Sequence, residues 1–140
     1  MKLALVLIFA SRLMAGLDAV KAEHNLERRS ELALANAESA LDKARETYKN
    51  GDEQPFKSAL EELSESIDLC KQSLDESGKN ARKSPKYFKK AEIGIRHLIR
   101  RLDNFRIEMS IDDRGPVEKL QERAHGLQEA ILHEIMGKKK

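Results

Sequence analysis

Apolar residues recur at alternating steps of three and four between Ser84 and Ser110. The set is Phe88, Ala91, Ile95, Leu98, Leu102, Phe105 and Met109. This spacing places all seven on one face of an α-helix, while most lysines and arginines of the stretch fall on the other faces. A helix with one continuous apolar face needs partner helices to cover that face. The pattern therefore predicts a helix that packs within a helical assembly.

Three further stretches show the same spacing, and together they predict helices at about 26–49, 55–77, 85–109 and 116–136. The apolar positions of the other three helices are Leu34, Ala37, Leu41, Ala44 and Tyr48; Phe56, Leu60, Leu63, Ile67, Cys70 and Leu74; and Val117, Leu120, Ala124, Leu127, Ile131 and Ile135. Gly51 and Gly78 are expected to end the first two, and Pro85 to begin the third. The small residues of the first stripe predict a narrow seam.

The connections between these helices are short, which makes sequential helices antiparallel neighbours. More than a dozen bulky apolar positions are available, and burying each contributes about 1.5–3 kcal/mol. Such a core requires neither a disulfide nor a metal. The predicted fold is all-α, an up-down-up-down antiparallel four-helix bundle with coiled-coil-like seams.

The first 22 residues have the pattern of a secretory signal peptide. Met1 and Lys2 precede an unbroken apolar run from Leu3 to Ala10, and Ala22 offers a small residue at a cleavage position. The run is too short to span a bilayer, and charged residues interrupt its continuation. We therefore expect a signal peptide at 1–22, a bundle domain at 23–140, a secreted or periplasmic location and no permanent membrane span. The alternative is an amphipathic first helix that packs on the domain or lies on a membrane.

Composition narrows the choice of partner. The chain has 140 residues, of which 36% are charged and 4% aromatic. Without residues 1–22, 23 basic and 23 acidic residues remain, so the mature chain is neutral overall. A protein that binds nucleic acid through its general field is basic as a whole. Nucleic acid is therefore disfavoured, and any anionic partner must be bound by a local patch.

No residue pattern indicates catalysis, a metal or a cofactor. Cys70 is the single cysteine and lies on an apolar stripe, which favours core packing over a reactive thiol. Glu122 and His125 have the Glu-x-x-His spacing of di-metal bundles, but only one copy exists and both side chains are expected to point outward. A haem attachment motif and a Gly-x-Ser-x-Gly nucleophile turn are both absent. We expect a protein that is not an enzyme.

Charge is strongly segregated between the second and third helices. Residues 52–77, which include the second helix, carry eight acidic residues against two lysines, whereas residues 79–106 carry ten basic residues against two acidic ones. Because the two helices are predicted neighbours, one interpretation is a row of ion pairs along their shared edge, each worth about 0–1 kcal/mol. The other is an exposed basic surface for an acidic protein, an anionic lipid or an anionic polymer.

Two isoleucines lie on the same outward stripe as these basic residues and define the candidate binding surface. We call it the basic face: Lys86, Lys89, Ile93, Arg96, Arg100 and Ile107. Leu32 and Leu69 are also expected to point outward, and Gly94 to allow a close approach by a partner helix. The main hypothesis is an exported protein that binds a partner through the basic face. The alternative is a self-associating module whose homodimer is closed by the same stripe.

Overall fold

The computed structural model describes residues 16–137, and over this range the chain is all-helical, with four long helices packed against each other. Helix α1 covers Leu26–Asn50, α2 covers Glu53–Glu76, α3 covers Pro85–Glu108 and α4 covers Gly115–Met136. A short 3-10 helix, η1, covers Ile111–Asp113. The expected helices are confirmed, with ends that differ from the predicted ones by two residues or fewer. No strand occurs within the described range.

Local signals explain where the helices begin and end. The Asn25 side chain accepts a hydrogen bond from the backbone N–H of Arg28, which caps the start of α1. Gly51 follows α1 with a φ of 73°, a left-handed conformation that glycine adopts without steric cost. Pro85 opens α3, where its missing N–H would have no helical partner. These signals depend on neighbouring residues only, and the sequence pattern could therefore locate them.

The helices form two antiparallel hairpins. In the first, the start of α1 contacts the end of α2, since Arg29 Nε donates to Ser73 Oγ at 2.8 Å. Further along, Asn36 Nδ2 donates to Ser66 Oγ at 2.9 Å. In the second hairpin Gln128, late in α4, donates to Glu92, early in α3, at 2.8 Å. Residue numbers rise along one helix as they fall along the other, which is the signature of an antiparallel pair.

The two hairpins lie side by side in an order that the sequence did not predict. Helix α1 packs against α3 and α2 packs against α4, whereas α2 and α3 are not among the packed pairs. The expectation that the acidic second helix and the basic third helix are neighbours is therefore wrong. Ion pairs record the actual order: Lys90 of α3 lies 3.2 Å from Glu31 of α1, and Arg123 of α4 pairs with Asp68 of α2.

The connection between α2 and α3 explains this order. Residues 77–84 cross the end of the bundle, and Ala81 within this segment is buried. Lys79 Nζ lies 3.2 Å from Glu27 at the start of α1, and the Arg82 side chain lies against Gly137 at the end of α4. Eight residues can span about 25 Å, whereas helices packed about 10 Å apart are about 14 Å apart along a diagonal. The connection is long enough to join diagonal helices.

The core follows the predicted apolar stripes. Helix α1 contributes small residues, and Ala33, Ala37, Ala40 and Ala44 are fully buried against the rest of the bundle. The larger side chains come mainly from the other helices, and Phe105 and Leu98 are among the most deeply buried. Cys70 is also completely buried, as its position on the α2 stripe predicted. The seam between α1 and α2 is therefore built on small residues, in keeping with the narrow seam expected there.

The segment that precedes α1 is partly described. Residues 16–21 are helical, and Val20 is 6% exposed within the core cluster, with Leu17 half-buried against it. The rest of the expected signal peptide, residues 1–15, lies outside the described residues, as do the last three lysines. Within the described range, none of the helices combines the length and the apolar character that crossing a membrane requires.

Candidate functional site: the outer face of α3

The basic face lies on the side of α3 that points away from the bundle. Helix α3 packs through the predicted stripe, and Phe88, Ile95 and Leu102 are buried. The opposite side is open to solvent, and all six residues of the basic face are exposed there. Ile93 and Ile107 are 60% and 58% exposed, which is high for large apolar side chains. The structure therefore brings the six residues together on one exposed helical surface.

A second side of α3 contacts α1, and its basic groups are already neutralised. Arg101 Nη1 donates to Glu38 Oε1 at 2.7 Å, and its Nη2 donates to Asp42. His97 Nδ1 lies 2.8 Å from the other oxygen of Glu38. Hydrogen bonding by Glu38, opposed by desolvation and helped by Asp42, raises the pKa of Arg101. The row of ion pairs expected between the second and third helices instead joins α1 and α3.

The third side of α3 faces α4 and holds a buried carboxylate. Glu92 is 5% exposed and accepts hydrogen bonds from Arg96 Nε at 3.1 Å and from Gln128 Nε2 at 2.8 Å. The Arg96 hydrogen bond lowers the pKa of Glu92, with Gln128 adding to the effect and desolvation opposing it. The pKa of Arg96 is raised by the same contact. Arg96 thus belongs to the basic face and also holds Glu92 ionised.

The remaining cations of the basic face have no acidic partner among the described residues. Lys86, Lys89 and Arg100 form no ion pair there, although Lys86 Nζ lies 5.9 Å from the centre of the Tyr87 ring. Positive charge on α3 is therefore divided. The cations on the side that contacts α1, and Arg96, form ion pairs within the fold. Lys86, Lys89 and Arg100 flank the two exposed isoleucines and form none among the described residues.

Gly94 serves the bundle rather than the outer surface. A methyl group in place of its α-hydrogen would lie 2.8 Å from Cδ1 of Leu34 on α1. The close approach that Gly94 allows is therefore the one between α3 and α1. The expectation that it faces an outer partner helix was wrong, because position 94 lies on the edge of α3 that turns toward α1. Gly94 therefore does not contribute to the exposed stripe that contains Ile93 and Ile107.

The candidate residues for metal or thiol chemistry have ordinary surroundings. Glu122 and His125 are both exposed on α4, as expected from the apolar stripe of that helix. Between residues 16 and 137 no group of three or more His, Cys, Asp and Glu side chains could hold a metal ion. Desolvation raises the pKa of the buried Cys70 thiol to about 12. This thiol stays protonated at neutral pH, which suits a packed side chain rather than a nucleophile.

One concave feature was not found from the sequence. A groove of about 660 Å³ lies at the end of the bundle where the α1–α2 turn meets η1. Its floor contains Tyr48, Phe56 and Phe105, whose rings pack edge to face or tilted, with centroids 5.5–6.4 Å apart. Tyr48 Oη donates to Asp113 at 2.8 Å and accepts from the Ser110 N–H at 3.1 Å. These contacts join residues more than 60 positions apart, so no local pattern could reveal them.

No family model, no curated protein and no solved structure matches the chain. The fold and its surface define the class instead. Over residues 16–137 the chain is an all-helical bundle in which helix α3 presents an exposed surface that is both basic and apolar.

Proposed function

We propose that this chain is an exported, non-enzymatic helical-bundle protein that binds an acidic partner through the basic face. The observation that carries the proposal is the exposure of Ile93 and Ile107 beside Lys86, Lys89 and Arg100, which have no acidic partner among the described residues. Export by the signal peptide at 1–22 and an up-down-up-down order of the helices are parts of the same proposal. The antiparallel pairs α1/α2 and α3/α4 support that order.

The charges and the isoleucines contribute differently to such binding. Unpaired surface cations attract an acidic partner over a distance of about a Debye length, roughly 8 Å at physiological salt, and raise its association rate. The isoleucines supply apolar area that a partner can bury, at about 25 cal/mol for each Å². The basic face runs from Lys86 to Ile107, 22 residues of helix whose first and last members are about 32 Å apart at a rise of about 1.5 Å per residue. That length suits a partner helix lying along it.

An acidic protein suits the surface better than an anionic polymer. A polymer of phosphate or sulfate groups would use the lysines and Arg100 but leave both isoleucines exposed to water. An amphipathic acidic helix could cover the isoleucines with its apolar side and meet the cations with its carboxylates. The combination of the two residue types on one stripe therefore favours a protein partner.

Charge reversal on the basic face tests the proposal. Lys89→Glu with Arg100→Glu should reduce capture of the partner from an extracellular or envelope fraction at least tenfold without loss of helicity. The matched control is Lys119→Glu, because Lys119 is an exposed lysine on α4 outside the basic face. Arg96 is left unchanged because it pairs with Glu92. Undiminished capture by the double variant would show that another surface binds.

Self-association through the same stripe is the second candidate, and the exposed isoleucines favour it. In a symmetric dimer the same patch meets itself, so the lysines and Arg100 of both copies would face each other. Added salt would screen this repulsion and strengthen the dimer, whereas it would weaken binding to an acidic partner. Light scattering at two salt concentrations separates these outcomes. A monomer under all conditions excludes the dimer.

A further inference from the structure

The groove between the α1–α2 turn and η1 has a floor of aromatic rings. Tyr48 and Phe56 are half-buried and line the groove, so part of each ring is open to it, while Phe105 is buried beneath. The Tyr48 hydroxyl donates its hydrogen to Asp113 and accepts from the Ser110 N–H. Because this hydroxyl is already engaged within the fold, Tyr48 offers a ligand its ring. The floor is therefore apolar in character.

The rim of the groove is acidic, and three of its acids are engaged within the fold. Five lining residues are acidic and two are lysines. Glu53 lies 3.5 Å from Lys57 Nζ. Glu108 lies 2.9 Å from Arg45 Nη2, and Asp113 accepts the Tyr48 hydrogen bond. These three carboxylates hold the surrounding elements together.

Asp52 and Asp112 are the other two acids of the rim, and neither carboxylate has a partner among the described residues. Asp52 occupies the position before α2, where an aspartate commonly caps the helix, yet its side chain makes no capping hydrogen bond. Both residues are exposed. A Cβ atom added at Gly51 would have no heavy atom within 4 Å, so the turn does not close over the groove. Two carboxylates are thus available beside the aromatic floor.

We propose that this groove binds a small organic ammonium cation with an apolar body. The body covers the open parts of the Tyr48 and Phe56 rings, and the cation lies beside Asp52 and Asp112. Aromatic rings add to the preference for a cation because their faces carry negative charge density. The volume of about 660 Å³ lies within the range of about 300–1,000 Å³ that small-molecule sites occupy. This site differs from the basic face in position and in the charge that it selects.

Four probes titrated into the unmodified chain test the charge and the ring separately. Benzyltrimethylammonium has both an aromatic ring and a cation, whereas tetramethylammonium has the cation alone. Benzyl alcohol has a ring without charge, and toluenesulfonate has a ring with a negative charge. Amide chemical shifts of residues 47–53 and 110–113, measured by NMR, report binding. We expect benzyltrimethylammonium to bind at least tenfold more tightly than each of the other three.

Three results of these titrations would overturn the proposal. Equal affinity for tetramethylammonium would show that the acidic rim attracts any cation and that the aromatic floor takes no part. Equal affinity for benzyl alcohol or toluenesulfonate would show that the carboxylates take no part. Shifts confined to amides outside the two segments would place binding elsewhere. None of these measurements depends on the folding of a variant.

Neutralising the two unpartnered acids tests their contribution. Asp52→Asn with Asp112→Asn should weaken benzyltrimethylammonium binding at least fivefold, because both carboxylates that face the cation are lost. The matched control is Glu61→Gln with Glu65→Gln, which removes the same charge from exposed positions of α2 outside the groove. The control should change the affinity less than twofold. Equal weakening by both double variants would reduce the effect to the net charge of the chain and overturn the site.

Phe56→Leu tests the floor, because it removes a ring and keeps an apolar side chain in its place. It should weaken benzyltrimethylammonium binding at least threefold and leave the weak binding of tetramethylammonium unchanged. An unchanged affinity for benzyltrimethylammonium would contradict the role of the aromatic floor. Capture of an acidic partner by the basic face uses other residues and should be the same in the Asp52→Asn, Asp112→Asn variant as in the wild type. The two proposals can therefore fail independently.

Discussion

Gln128 of α4 donates a hydrogen bond of 2.8 Å to the buried carboxylate of Glu92 on α3. The second anchor of this carboxylate is Arg96, one turn further along the same helix. A buried charge is tolerated only when it is paired and hydrogen-bonded, and both conditions are met here. The contact fixes the register of α3 on α4. It also supplies an acid whose protonation affects the stability of the fold.

Stability should fall at low pH in part through Glu92. Its pKa is lowered below its ordinary value of 4.5, mainly by the Arg96 hydrogen bond. A carboxylate whose pKa is depressed by folding stabilises the native state above the unfolded pKa, and this contribution is lost as pH falls through the folded pKa. Glu92→Gln should therefore make the loss of unfolding free energy below about pH 4.5 shallower. Urea unfolding at pH 6, 4.5 and 3 measures it.

The control for that measurement is Glu129→Gln, because Glu129 is an exposed acid of α4 without an ion pair among the described residues. It should leave the pH profile unchanged. Glu92→Ala at neutral pH leaves Gln128 without its acceptor and should cost about 1–3 kcal/mol. A pH profile that is identical in the wild type and Glu92→Gln would contradict the buried ion pair.

Ile93 and Ile95 provide a matched pair on one helix. Ile95 is completely buried whereas Ile93 is 60% exposed. Ile95→Ala should lower the free energy of unfolding by about 2–5 kcal/mol because it leaves a cavity in the core. Ile93→Ala should change it by about 0.5 kcal/mol or less. Chemical denaturation of both variants measures the difference, and equal effects would show that the face of α3 is wrongly assigned.

The α1–α2 seam should resist larger side chains. Ala37 is completely buried, and its neighbour Ala35 is exposed. Ala37→Leu introduces three carbon atoms into a packed seam and should cost about 1–3 kcal/mol or more through displacement of the helices. Ala35→Leu, the control, should be nearly neutral because its side chain points to water. The melting temperatures of the two variants measure the difference. An Ala37→Leu variant as stable as the wild type would indicate that the seam is packed more loosely.

Cys70 should be unreactive in the native chain. Burial raises the pKa of its thiol to about 12, so the nucleophilic thiolate is scarce at neutral pH and the sulfur is also inaccessible. A disulfide reagent at pH 8 should label the native protein at least a hundredfold more slowly than the protein in guanidinium chloride. Labelling at the denatured rate would place Cys70 on the surface.

The sequence was sufficient for the features that depend on neighbouring residues. Helix positions followed from the apolar spacing, and ends such as Gly51 and Pro85 followed from local backbone preferences. The outward position of Ile93 and Ile107 followed from the same spacing, because residues on the side of a helix opposite its buried stripe point to solvent. The composition of the candidate binding surface was thus accessible without coordinates.

Features that depend on the path of the chain between helices could not be predicted from the sequence. The order of the hairpins depends on how residues 77–84 cross the end of the bundle, and spacing carries no information about that path. The partners of the basic residues changed with the order, so Lys90 and Arg101 pair with α1 instead of α2. Leu69 is buried because it lies between Ser66 and Ser73 on the side of α2 that packs against α1, and the apolar stripe of α2 alone did not indicate this side. Each of these errors concerns contacts between distant residues.

The diagonal path of residues 77–84 also determines whether the two hairpins close within one molecule. Helices α1 and α2 are joined by only Gly51 and Asp52, which suffices for adjacent helices. A connection of that length between α2 and α3 would extend about 10 Å and could not cross the bundle. The hairpins could then keep their present neighbours only by exchanging between two copies of the chain. The length of one surface connection thus separates a self-contained monomer from a domain-swapped dimer.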